Sequence, residues 1–191
     1  MTARLARAMR RLYGLSATLL PLPTEPHERG PGAEGLPAQL AALGYPAYAH
    51  VRPSPQLNPA VVVLAALSED DLDFRVTEAL PWVLLRYPDL NWDWLVSNAK
   101  LRNLQNRLGF LVAVAREFAE ARPGWSASVT RLRQVEQELE RARLAAETTL
   151  SREAMPQAER EWLVRNRPPL AEQWNVLTSL SSQQLTYAAQ R

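Results

Sequence analysis

The sequence predicts an all-α protein, a single multi-helix bundle that is solenoid-like in its middle and carries an extended N-terminal arm. Three observations predict it. Apolar residues recur at spacings of three and four along most of residues 58–177. Asn, Asp and single prolines stand where those periodic runs begin, and Gly or Pro where they end. A chain of 191 residues, 47% hydrophobic and 22% charged, has the length and composition to bury a sizeable core.

Residues 1–57 hold eight of the 15 prolines and five of the seven glycines, which sets them apart from a helical domain over 58–191. Residues 1–13 suit a helix with Leu5, Met9 and Leu12 on one side. Arg4, Arg7, Arg10 and Arg11 make it basic, and Gly14 is placed to end it. Repeated Pro and Gly over 21–35 bar a regular element. Residues 36–43 suit a short helix, with Pro37 in its first turn and Gly44 after it. In residues 45–55, Ala47, Ala49 and Val51 alternate with Tyr48, His50 and Arg52. Pro46, Pro53 and Pro55 limit this stretch to an edge strand or an extended arm.

Asn58 and Pro59 suit the cap and first position of a helix bearing Val61, Leu64, Ala65 and Leu67. Its pairing with the next helix, up to Pro88, resembles an α-solenoid unit, although no fixed-period repeat follows. The acidic turn 68–71 suits the start of that second helix, where Val76, Ala79, Leu80, Val83 and Leu84 keep helical spacing through Pro81. The proline predicts a kink or restart. A third helix over 91–98 carries Trp92 and Leu95. A fourth over 100–121 carries Leu101, Leu104, Leu108, Leu111, Val112, Ala115 and Phe118, and 122–124 (Arg-Pro-Gly) ends it. A fifth, from 126 or 128 to about 150, shows a heptad-like seam of Leu132, Val135, Leu139, Ala142 and Ala146. Such a narrow seam suits one neighbouring helix of the chain or the same helix in a homodimer. Short helices over 156–166, 169–177 and 181–190 complete the chain. The core should include Leu64, Leu80, Trp82, Leu84, Trp92, Leu95, Leu104, Leu108, Leu111 and Phe118.

The formal charge is +2, with 21 Arg and one Lys, so the composition does not demand nucleic acid as a partner. The absence of Cys excludes disulfides, thiolate metal sites and cysteine nucleophiles, and agrees with a cytoplasmic protein. No run approaches the ~18 apolar residues that read as a membrane span, and the N-terminus lacks the apolar core of a secretory signal.

No phosphate-binding loop, dinucleotide fingerprint or nucleophile elbow is present, so the sequence predicts no catalytic site and neither metal nor cofactor. His27 and His50 lack ligand spacing. Glu69, Asp70, Asp71 and Asp73 serve helix capping better than cation binding, since they lack the obligatory glycine of a calcium loop. Trp92 and Trp94 read as core wedges before they read as base-stacking platforms. Amides and Gly109 inside the fourth helix cost some tenths to about 1 kcal/mol each, so their presence needs a reason. Lys100, Asn103 and Arg107 fall on one face of such a helix. They form either a polar binding strip or a hydrogen-bond cluster, with Gly109 permitting close packing. Tyr45, Tyr48, His50 and Arg52 on the arm are groups of the kind enriched at binding anchors. The arm either holds a partner or packs along its own helices.

Residues 79–112 (ALPWVLLRYPDLNWDWLVSNAKLRNLQNRLGFLV), with LERARLAAETTLSREAMPQAEREWLVRNRPP downstream and VRPSPQLNPAVV upstream, resemble a bacterial family of toxin–antitoxin operons. The resemblance is to the antitoxin side, encoded next to a nucleotidyltransferase-like abortive-infection toxin, and extends from about residue 43 to the C-terminus. It implies a cytoplasmic, non-catalytic regulator that sequesters a cognate toxin, with a role in phage defence. The alternative is a nucleic-acid-binding module using Arg4, Arg7, Arg10 and Arg11 together with the arm.

Overall fold

A computed structural model of the chain describes residues 13–23, 30–150, 152 and 154–185, together with positions 5 and 8. The chain is all-α. Among the described residues there are eight α-helices and one minimal sheet of two parallel two-residue strands. The helices are α1 (Leu36–Leu43), α2 (Pro59–Leu67), α3 (Phe74–Arg86), α4 (Trp92–Leu101), α5 (Gln105–Glu120), α6 (Ser126–Glu140), α7 (Gln157–Asn166) and α8 (Pro169–Gln173). Strand β1 (Thr148–Thr149) pairs with β2 (Val176–Leu177), Thr148 opposite Val176 and Thr149 opposite Leu177.

Caps set the first elements. Gly44 takes φ +91° after α1, and the amides of Gly44 and Tyr45 bond back to Ala41 O and Leu40 O. At α2 the Asn58 carboxamide oxygen accepts from Ala60 N at 3.0 Å, while its Nδ2 donates to Thr18 O and Leu20 O. One buried amide thus caps the helix and fastens the N-terminal segment to it. All nine residues of α2 are buried, so this helix is apolar all round and lies in the centre, not at an edge. Helix α5 is the second axis. Thirteen of its sixteen residues are buried, and α6 packs along its length.

All ten residues expected in the core are buried. Leu36, Leu40, Leu43, Tyr45 and Tyr48 belong to the same hydrophobic cluster, so the division expected at residue 57 is not a division of the core.

Several boundaries differ from the periodic reading. Tyr45 does not open an extended arm: Pro46–Tyr48 is a tight 3-10 turn. Helix α3 runs unbroken through Pro81 and starts at Phe74, with Asp73 capping Arg75 N at 2.7 Å. Residues 68–71 lie in the preceding loop, where Asp71 bridges to Arg152. The boundary expected between the helices over 91–98 and 100–121 falls later: α4 runs on to Leu101 and α5 starts at Gln105. Asn103 adopts φ +58°, and the bonds Leu104 N→Ala99 O (2.8 Å) and Asn103 N→Lys100 O (3.2 Å) close a left-handed helix end.

Helix α6 ends at Glu140, so Ala142 and Ala146 leave the expected seam. Leu132, Val135 and Leu139 are buried in the chain's own core beside α5, which removes this seam as a homodimer surface. The helix expected over 169–177 stops at Gln173, and β2 follows. Only a 3-10 turn, Ser182–Gln184, occupies the start of the helix expected over 181–190; residues 186–190 lie outside the described residues. Arg4, Arg7, Arg10, Arg11 and His27 also lie outside them.

Candidate functional site

The break between α4 and α5 creates a polar cleft of about 360 Å³. Arg102 and Asn103 reach it from the turn and Arg107 from the first turn of α5. Ser68 and Asp70 come from the α2–α3 loop and Thr148 from β1, with Leu104 the one apolar lining group. Arg107 is only 7% exposed. Its Nη1 donates to Leu67 O at 2.8 Å and Glu69 O at 3.2 Å, and its Nε to Thr148 Oγ1 at 3.1 Å. Leu67 is the last residue of α2, so the guanidinium satisfies a terminal carbonyl and sits at the negative end of that helix.

The expected face of Lys100, Asn103 and Arg107 is not one face, because the helix break separates them. Asn103 and Arg107 meet in the cleft. Lys100 turns to α6, where Nζ lies 2.7 Å from Glu138 Oε1. The neighbouring amides are structural. Asn106 donates to Leu144 O and Ala146 O and accepts from Leu144 N, and Gln105 donates to Ala142 O. The cluster binds a helix to the irregular segment 141–147 instead of joining two helices. Gly109 does permit close packing: a Cβ there would run into the ring of Trp174.

Tyr45 and Tyr48 are not exposed anchors. They are 3% and 6% exposed, and the Tyr45 ring packs 5.2 Å from Trp82 and 6.0 Å from Tyr48. Burial raises the Tyr48 phenol above its ordinary value; Asp73 and Glu78 add to this and Arg75 opposes it. His50 and Arg52 remain on the surface. Of the WDW run, Trp92 is a core wedge at 3% exposure and Trp94 is half-buried.

The sequence reading missed a different surface. Helix α7 buries only Leu163 and leaves Trp162 52% and Val164 47% exposed. Trp82, Trp92 and Trp174 are buried, and Trp94 and Trp125 are partly buried against the core, so Trp162 is the exposed member of six. Ion pairs fix the helix from outside: Arg160 and Arg167 both reach Glu147, at 3.1 and 3.2 Å, and Arg152 reaches Glu159 at 3.1 Å. A tryptophan between Glu161 and Leu163, on a helix with a single apolar anchor, was the available signal.

Among the described residues no three His, Asp or Glu side chains gather into a group able to hold a metal ion, and no helix is long and apolar enough to cross a membrane. Comparison with protein-family models, curated proteins and solved structures finds no match.

Proposed function

We propose that this chain is a non-catalytic protein-binding regulator, an antitoxin that sequesters a cognate toxin. The observation that carries the reading is Trp162. It is half exposed on α7, with Glu159 and Arg165 three residues away on the same helical face. An aromatic anchor with a charged rim is the composition of a protein-binding hot spot. A tryptophan has only two side-chain torsions to order on docking, fewer than a long charged side chain of similar reach. The resemblance of residues 79–170 to antitoxins includes this helix and supports the same partner class. In the cleft, Asp70 has no His, Cys or second carboxylate beside it among the lining residues, which favours binding over acid–base chemistry.

The test is co-expression with the product of the adjacent gene. The reading predicts a stoichiometric complex that suppresses that protein's toxicity and is weakened by Trp162→Ala. Binding to DNA or RNA that falls steeply with salt, without such a complex, would favour the module built on the N-terminal arginines.

A further inference from the structure

Within residues 156–168 only Leu163 is buried, so a single side chain seats the ten-residue helix α7 on the body. We propose that α7 is a releasable helix, which lifts off the body as a unit and is taken into an apolar groove of the protein partner. The release is a property of the chain alone; the groove rests on the protein-binding reading of Trp162.

The chain on either side of α7 has its own anchors. Before it, the backbone bridge between Asp71 and Arg152 holds the segment after β1. After it, Ala171 and Trp174 are fully buried. Between these points Pro156, Arg167 and Pro168 are extended, with ψ of 147°, 149° and 153°, so α7 is not continuous with α8. The ties of α7 itself are weak. Glu147 holds the helix at both ends, through Arg160 and Arg167, and Arg152 holds Glu159. Apart from Arg167 these groups are at least one-third exposed, where ion pairs contribute little and salt screens them. Arg167 Nε is buried without a hydrogen-bond partner among the described residues, which penalises the docked position and is relieved by release.

Successive residues stand about 100° apart around a helix, which sets the exposed Trp162 and Val164 on opposite flanks of Leu163. A partner lying flat on the docked helix covers one flank. A groove around the released helix covers both, and Leu163 as well.

Amide exchange of the full chain, followed by mass spectrometry, tests the release. A free helix of ten residues is marginal in water, so opening exposes its amides. Residues 160–166 should exchange at least about tenfold faster than the interior of α5. Glu147→Gln, Arg160→Gln and sodium chloride at about 1 M, where the Debye length is near 3 Å, should each speed them further by about threefold and leave α5 unchanged. Exchange in α7 as slow as in α5, or indifferent to both variants and to salt, overturns the release. The groove is tested by titrating the adjacent gene's product: Val164→Ala should weaken binding by at least about threefold, in addition to the loss from Trp162→Ala. Wild-type affinity in Val164→Ala overturns the groove. Absence of any complex removes the protein-binding reading and the groove with it, while the exchange result still decides the release.

Discussion

Gly109 and Trp174 pack so closely that one carbon added at the glycine would overlap the indole ring. Trp174 is fully buried, so the ring has no open side to move into. Alanine would gain about 1 kcal/mol of helix propensity in α5. Overpacking against an immobile ring costs ~1–3 kcal/mol or more, and so wins. Gly109→Ala should therefore destabilise the protein by about 2 kcal/mol, lowering the melting temperature by roughly 4–8 °C. In a Trp174→Leu background the same change should be neutral or stabilising. Denaturation of the four proteins in that cycle measures the coupling.

Asn106 is 1% exposed, and its carboxamide closes three bonds to the segment after α6. Asn106→Ala removes three bonds to part-buried backbone groups of Leu144 and Ala146, for a loss of about 2 kcal/mol. Local opening should accompany it: amide exchange over residues 142–148 should accelerate more than in α2. Uniform acceleration across the chain would mean that the clamp is not local.

These two sites show how far the sequence could be read. Helix starts were legible at Asn58 and Asn91, where one residue makes the cap, but not at Asp73, because the acidic residues at 69–71 offered the same capping chemistry a few positions early. Helix α1 was legible because Pro37 and Gly44 bracket it. The position of the break between α4 and α5, expected near residue 99 and found after Leu101, was not, because Leu101, Leu104 and Leu108 keep helical spacing across the turn. Only Asn103, a residue that tolerates the left-handed conformation, hinted at it. The end of α6 was hidden similarly, since Ala142 and Ala146 extend the heptad pattern past Glu140. What holds the chain beyond that point is Gln105 and Asn106, more than 30 residues away. Of the candidate site residues, Asn103 and Arg107 do meet, by folding and not by sharing a helical face. Tyr45 and Tyr48 went inward because the 3-10 turn at Pro46 replaces the alternation of an extended chain.

Tyr48 and Arg52 now separate structure from surface. Tyr48→Ala should cost about 3 kcal/mol, as expected for a buried ring removed from an aromatic cluster. Arg52→Ala should stay within about 0.5 kcal/mol of wild type. Chemical denaturation of the single variants checks both, and a Tyr48→Ala protein as stable as wild type would contradict the packing.

Glu78 gives a pH signature. Burial is the main cause that raises its carboxyl above 4.5; Asp73 adds to it and Arg75 opposes it. The folded state therefore holds this proton more tightly than the unfolded chain. The associated stability is fully present below 4.5 and is lost as pH rises through the raised folded value. Glu78→Gln removes that loss, so its melting temperature should improve relative to wild type across this window. A difference independent of pH would contradict the assignment.

The central claim, that the exposed face of α7 docks a protein partner, is tested most directly by titrating the adjacent gene's product with wild-type chain and with Trp162→Ala. Trp162 is half exposed and Leu163 anchors the helix, so the variant should keep its fold. The account predicts a stoichiometric complex with the wild type and an affinity at least about thirtyfold weaker for the variant, the ~2 kcal/mol of a hot-spot tryptophan. No complex with the wild type, or equal affinity for a folded variant, would contradict it.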